Sequence, residues 1–552
     1  MIVGRLALAV VLAAAASLAG AQEAAIRADS IRAHMEFLAD DLLEGREAGT
    51  RGYDIAAAYV ASQFRQIGLQ PAGTNGFFHP VPLRKSLLVP NTVTLRVDGV
   101  GGKSITFTDA DHVAARPSDT EPLQSVEAAC VFAGYGVVSP EHKRDDYAGL
   151  DVRGKFVVVL GGPPPGFPSE VAGHLGSADE QRARAAERGA AGVFIIYTPA
   201  LEARWPFVRL APVYRQPVIE WSDPTIPKNP GKSLRVSAMV DLTAAEALFK
   251  GAPRKLADVM KEARTRAPMG FALKARATFS RKSEHFAATS ANVAALLPGS
   301  DPVLGREVLV FTSHLDHVGV GAPVNGDAIY NGALDNAAGI ASMLEVARVL
   351  ASGPQRLRRS VLFLAVTAEE KGLVGSDYFA TKPTIERERM VGVINLDGAM
   401  PFFDLVDVIG YGADSSTLGD SLRRAADSLG ISVSPDLEPE QAYFTRSDHY
   451  PFVQKGIPGI FLIAGNKPAN GKDAAEINRR WAAAHLHQPS DDLNQPFDYE
   501  GHMVQWAELF RRWTVEAANA DERPLWYEGD YFGERFAPGQ PGKNRPAARN
   551  SR

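Results

Sequence analysis

VLVFTSHLDH, residues 308–317, is an apolar, β-branched run that ends in an imidazole, an aspartate and a second imidazole. Val308 to Thr312 reads as a strand with no polar face, the pattern of a strand buried on both sides. The same grammar recurs downstream. SVLFLAVTAEE, residues 360–370, ends in Glu369 and Glu370; VGVINLD, residues 391–397, ends in Asp397; a further apolar strand is expected over Gly459 to Ile463. A helix is expected over Asn336 to Ser352, with Ile340, Met343, Leu344 and Ala347 on one side, and a closing helix over Tyr499 to Ala517. Strands alternating with helices predict an α/β fold with a mainly parallel sheet flanked by helices. In such sheets ligands collect at the carboxyl ends of the strands.

His314, Asp335, Glu369, Glu370, Asp397 and His487 all fall where an apolar run gives way to a loop or a loop meets the next element. Two imidazoles, two aspartates and one glutamate supply ligands for a pair of borderline metals bridged by one carboxylate. The remaining glutamate is next to a ligand, where a general base for a metal-bound water is needed. Residue types and placement together point to a two-metal hydrolase. Residues two apart on a strand share a face, so Asp316 can point with His314 and hold its imidazole in one tautomer. His317 would then face the other way. Asp335 opens a helix after a glycine-bearing turn, a position that also suits a plain N-cap.

Composition sets the frame. A chain of 552 residues exceeds one hydrophobic core, so more than one domain is expected. With 45% hydrophobic and 22% charged residues the profile is not that of a disordered chain. The net charge of −5 contains no long run of one sign, which gives nucleic acid nothing to hold. Arg5, the apolar run Leu6 to Leu18 and the small residues Ala19-Gly20-Ala21 form an export signal, with a mature start near Gln22. The protein is therefore expected to be periplasmic or extracellular, without stable membrane insertion. Cys130 is the single cysteine; it lies in an apolar run and reads as a buried thiol.

The chain divides by pattern. After the signal (1–21), residues 22–118 are expected to form the N-terminal part of the main domain. Helices are expected over 29–70, one capped by Ser30 and one running from Asp54 to a stop at Gly68; short strands follow to 118. Residues 119–285 change character: strands at Lys155 to Leu160 and Gly192 to Tyr197 enclose a helix that ends at Gly189. The main pattern resumes at NVAALLPGSDP, so 286–520 carries the metal residues, and 521–552, rich in Pro, Gly and Arg, reads as a partly disordered tail.

The motifs His314-Leu315-Asp316, Gly332-Ala333-Leu334-Asp335-Asn336, Glu369-Glu370, Asn395-Leu396-Asp397 and a late His487 occur in one order. That order resembles the zinc metallopeptidases typified by aminopeptidase Y and aminopeptidase S. GREAGTRGYDIAAAYVASQFRQIGLQPAG, residues 45–73, is similar to the N-terminal part of their catalytic domain. FAGYGV followed by DDYAGLDVRGKFVVVL, residues 132–160, resembles a protease-associated domain inserted in that fold. The resemblance implies two Zn²⁺ ions, other divalent ions also being compatible. It gives Asp335 the bridging role, His314, Glu370, Asp397 and His487 the remaining ligand positions, and Glu369 the role of general base. His487 fits the late-histidine motif better than His485, because Asp491 follows it at a short gap. The preceding position, tyrosine in many relatives, is Leu486; Tyr443 and Arg446, within AYFTRSDHYPF, are the candidates for substrate contacts.

The reading that follows is an exported aminopeptidase acting on peptides or proteins. A carboxypeptidase or dipeptidase would share the metal set, a glutaminyl cyclase would use a single zinc, and a non-catalytic receptor of this shape would lack ligands or base. Side-chain preference and oligomeric state are not written in these motifs.

Overall fold

The computed structural model describes residues 25–99, 102–108, 111–226, 234–354, 356–438 and 441–545. The expected export signal lies outside them, as do the last seven residues, 546–552.

The centre of the main sheet is a parallel array in the order Ser360–Val366, Val308–His314, Met390–Leu396, Gly459–Ala464. Every residue of the first three strands is buried, as expected for strands covered on both faces. The flanks are antiparallel: Leu297 back to Val293 pairs with Ser360–Val366 on one side, and Asp407–Tyr411 pairs with Gly459–Ala464 on the other. The helices Ala28–Leu38, Arg51–Ile67, Ala338–Ser352 and Val504–Asn519 cover one face, burying Met35, Phe64, Ile340, Trp506 and Trp513 against Phe311 and Phe363. Val374–Thr381 and Tyr450–Val453 cover the other, through Phe379 and Phe452.

Helix ends refine the expected boundaries. The first helix begins at Ala28, so Ser30 lies inside it rather than capping it. The second begins earlier than Asp54: the Thr50 hydroxyl accepts the Tyr53 N–H, and Gly68, at φ +89°, ends it. The closing helix is preceded by a wide turn, Tyr499–Met503, in which the Asp498 carboxylate accepts the Gly501 and His502 N–H groups.

A second unit is built on one long strand. Phe271–Leu297 runs through both sheets: residues 276–280 pair with Thr94–Asp98 and Leu123–Phe132, and residues 283–293 pair with Phe78–Leu88. Leu123–Phe132, Phe156–Leu160, Gly192–Ile196 and Val236–Val240 continue the second sheet in parallel. Its core contains Phe132, Phe156, Phe194, Leu248 and Phe279.

Two expected boundaries move. Thr94–Asp98, Ser104–Thr108 and Val113–Ala114 belong to the second sheet, so the first 118 residues do not pack as one body. Val93, Leu95 and Val97 alternate inward and are buried by the second core, which closes that edge. Residues 522–545, the described part of the expected tail, are also not loose. Trp526, Tyr531 and Phe532 are buried in the second core, and Trp526 Nε1 donates to the Gly456 carbonyl at 3.0 Å. Proline and glycine content hides these aromatic anchors. That core also takes in Ile409, Tyr411, Phe444, Tyr450 and Phe461 of the main domain, so the two units share apolar packing.

Replacing Trp526 by alanine is expected to cost about 3 kcal/mol of stability, as for other buried aromatic truncations. Denaturant unfolding of the variant checks this; a loss under roughly 0.5 kcal/mol, the size of an ordinary surface change, would remove the segment from the core.

Candidate metal centre

His314 is the last residue of its strand, and the loops after the neighbouring parallel strands carry Glu369, Glu370 and Asp397 to the same end of the sheet. Asp335 comes in from the turn Ala333–Ala337 in front of the helix Ala338–Ser352, and His487 from the loop after the helix Ala474–His485. Donor atoms of His314, Asp335 and Asp397 lie within 4.8 Å of one another, and so do those of His317, Asp335 and Glu370.

Asp335 joins the two groups. His314 Nε2 is 3.2 Å from Asp335 Oδ1 and 3.1 Å from Asp397 Oδ1. His487 Nε2 is 3.1 Å from Asp335 Oδ2 and 3.2 Å from Glu370 Oε2. Each Asp335 oxygen thus faces a different imidazole–carboxylate pair. His485 instead meets the Ser490 hydroxyl at 2.8 Å. His317 departs from expectation. Its Nδ1 is 2.8 Å from Glu370 Oε1 and 3.9 Å from Asp335 Oδ2, so it faces the cluster. The strand ends at His314, and the alternation of faces ends with it.

The donor set fits zinc. Imidazole nitrogen and carboxylate oxygen are ordinary zinc ligands, and both ring nitrogens of His317 and Oε1 of Glu370 are buried without an aligned hydrogen-bond partner. Burial opposes charge on His314, yet Asp397 and Asp335 hold its pKa well above the usual imidazole range. Glu370 and Asp335 raise His487, whose side chain is half exposed, to about 9. Burial also opposes charge on Asp335, but His314 and His487 keep its carboxyl well below the usual range. With no cation present the raised pKa values favour protonated rings, and a bound metal would require these imidazoles neutral.

The supports are as specific as the ligands. The Asp316 carboxylate does not reach the His314 ring. His314 Nδ1 is paired with the Asp316 backbone carbonyl at 3.1 Å, while the carboxylate accepts the N–H groups of Glu369 at 3.0 Å and Glu370 at 3.3 Å. Asp316 therefore holds the glutamate pair through its side chain and the imidazole through its backbone. Asp491 accepts the N–H groups of Leu334 at 2.8 Å and Asp335 at 3.0 Å. Asn336 donates to Ser313 Oγ, the His314 carbonyl and the Leu396 carbonyl, and accepts the Gly398 N–H. Ser447 donates to Asp397 Oδ2 at 2.6 Å and accepts from Asn395 Nδ2 at 2.7 Å. Buried Arg46 donates to the carbonyls of Leu38, Leu315, Asn331 and Gly332, tying the loops that carry His314 and Asp335. The Arg446 guanidinium is exposed, 5.6 Å from the Tyr443 ring centroid; from that run Ser447 hydrogen-bonds Asp397 of the cluster.

Residues 292–512 match the model of peptidase family M28. "Leupeptin-inactivating enzyme 1" of Streptomyces exfoliatus is 32% identical over 182 residues, which is 32% of this chain and 36% of that protein. "Aminopeptidase YwaD" of Bacillus subtilis is 32% identical over 234 residues, 41% of this chain and 46% of that protein. The chain thus spans less than half the length of either relative. The solved structure "Aminopeptidase from Aneurinibacillus sp. strain AM-1" shares the fold, with a TM-score of 0.51 and 21% identity over 90% of this chain and 95% of that one.

Within this M28 segment, Asp491 was visible in the sequence only as a spacing mark after His487. Asn336 stood in its motif as a neighbour of Asp335, and Ser447 as a neighbour of Arg446. Arg46, outside the matched segment, gave no signal beyond its place in GREAGT. Asp491→Ala is expected to weaken zinc binding about 10-fold or more, the usual effect of removing the partner that orients a ligand. Chelator competition on the folded variant measures this; unchanged affinity would mean that the Asp335 turn holds itself.

Proposed function

We propose that this chain is a zinc metallopeptidase with a pair of Zn²⁺ ions, that it acts as an aminopeptidase on peptides or proteins, and that Glu369 is its general base. The observation that carries this reading is the Asp335 carboxylate, which offers one oxygen to each of two imidazole–carboxylate pairs, with a further half-buried acid, Glu369, next to Glu370. The names of the relatives and the M28 segment favour peptide substrates and an amino-end specificity.

One ion would be held by His314, Asp335 and Asp397, the other by Asp335, Glu370 and His487, with His317 beside the second. Zinc in such sites supplies a Lewis acid for the scissile carbonyl and lowers the pKa of a water toward neutrality. The rest falls to the chain. With no cation beside it, burial, together with Glu370 and Asp397 and against the pull of His314, holds the Glu369 carboxyl well above its usual range; bound cations would favour its anion, the form that accepts a proton. Asp316 fixes the Glu369 backbone, so the carboxyl approaches from one direction. Glu369 takes the proton of the attacking water and passes it to the leaving amine.

The second unit, with its strands between residues 94 and 282, is read as a protease-associated-like insert, and the signal over 1–21 supports a periplasmic or extracellular location. Among the described residues no helix is long and apolar enough to cross a membrane.

The adjacent glutamates separate the roles. Glu369→Gln should keep its zinc and lose roughly 10²–10⁴-fold in turnover, the range for a general base. Glu370→Gln should lose or loosen zinc, with partial recovery in excess metal. Free and N-blocked peptides assayed on the unmodified protein test the end specificity; only free amino termini should be processed. Equal zinc loss in both variants, or near-normal turnover of Glu369→Gln, would reverse the assignment.

A further inference from the structure

Segment 442–450 of the main domain is held from outside at both of its ends. At one end, Gly173 of the helix Ser169–Leu175 lies against the turn: a Cβ at Gly173 would sit 2.7 Å from Ala442 Cβ, 3.3 Å from Ala442 Cα and 3.8 Å from Thr445 Cγ2. At the other end, His174 Nδ1 is hydrogen-bonded to the Tyr450 hydroxyl. Glu170 of the same helix accepts the Gly412 N–H at 2.8 Å, and a Cβ at Gly412 would meet the Phe444 ring at 2.8 Å. The helix comes from the second unit. Between the two grips lies Ser447, whose hydroxyl holds Asp397.

The segment has little slack to absorb a displacement. Thr445 N–H bonds the Ala442 carbonyl at 3.2 Å, Arg446 N–H the Tyr443 carbonyl at 3.0 Å, and Tyr450 N–H the Ser447 carbonyl at 3.0 Å. Phe444 and Tyr450 are buried in the core that the two units share. A shift imposed at Ala442 or Tyr450 therefore moves Ser447, because closely packed interiors transmit strain rather than absorb it.

We propose that the helix Ser169–Leu175 of the second unit is a positioning element of the metal centre, setting Ser447 and through it Asp397. The inference rests on the zinc metallopeptidase reading, and it makes the second unit a structural part of the site rather than an appended module. Gly173 and His174 are the positioning residues. Neither touches the donors; both act on the backbone that carries Ser447.

The test is a double-mutant cycle read as zinc affinity by chelator competition on the full mature chain. Ser447→Ala alone should weaken the ion that Asp397 shares with His314 about 10-fold or more. Gly173→Val alone, which forces a side chain onto Ala442, should weaken it about fivefold, within the coupling range of residues in one network. The double variant should bind zinc within about twofold of Ser447→Ala alone, because the wedge acts through the hydroxyl already removed. Ser447→Thr, which keeps a hydroxyl, should recover most of the loss. Thermal unfolding of the metal-free proteins reports whether each variant is folded. If Gly173→Val is not, His174→Phe takes its place: it removes the bond to Tyr450 and keeps a ring among Tyr531, Phe532 and Phe536. Unchanged zinc affinity in the folded helix variants, or losses that multiply in full with Ser447→Ala, would overturn the inference. An unmodified protein that binds no zinc would instead overturn the metallopeptidase reading on which it rests.

Discussion

The structure is organised around a charge problem. Asp316, Asp335, Glu369, Glu370, Asp397, Asp448 and Asp491 gather at one end of a buried parallel sheet, where like charges at close range in low dielectric are costly. Each acid that remains ionised there needs a partner. Asp316 and Asp491 take backbone N–H groups, and Arg46 brings a buried guanidinium behind the loops. Burial pushes the carboxyls of Asp316 and Asp491 up to about 6 and that of Asp448 to about 7, so these partners only partly offset desolvation. Asp335, Glu370 and Asp397 are left facing imidazoles across gaps of metal-ligand character, which is where divalent cations would complete the balance.

Placement follows from the same constraint. A parallel sheet covered on both faces is apolar along its strands and can turn polar only at their ends, so the acids and imidazoles are confined to the loops that follow. That is why so much of the site was legible in the sequence. VLVFTSHLDH and VGVINLD each announce a buried strand and then a ligand, and the order of motifs carried the family before any geometry. Less was legible where the rule has an edge. His317 was misjudged because strand alternation stops at His314 and the next residues follow a loop. The Asp316 carboxylate was assigned to the imidazole, but two backbone N–H groups from another loop claim it, and no sequence spacing records that.

Domain boundaries were harder for a different reason. Thr94–Asp98 alternates polar and apolar residues, and alternation alone does not name the sheet it joins. The partner is Phe271–Leu297, a 27-residue strand that serves both sheets and is far away in sequence. The C-terminal segment carries Trp526, Tyr531 and Phe532 within a proline- and glycine-bearing stretch, so composition points away from the packing that the second core provides. Shared burial of Phe444 and Tyr450 with these aromatics means that the two units meet through a core and not through a flexible linker.

The central claim is that Asp335 stands between a pair of ions. Anomalous diffraction from crystals of the zinc-loaded protein, collected on either side of the zinc absorption edge, tests it directly. The account predicts a pair of peaks flanking the Asp335 carboxylate, at roughly the 3.5–4 Å spacing of co-catalytic sites, one beside His314 and Asp397 and the other beside Glu370 and His487. A single peak, or peaks away from Asp335, would contradict it.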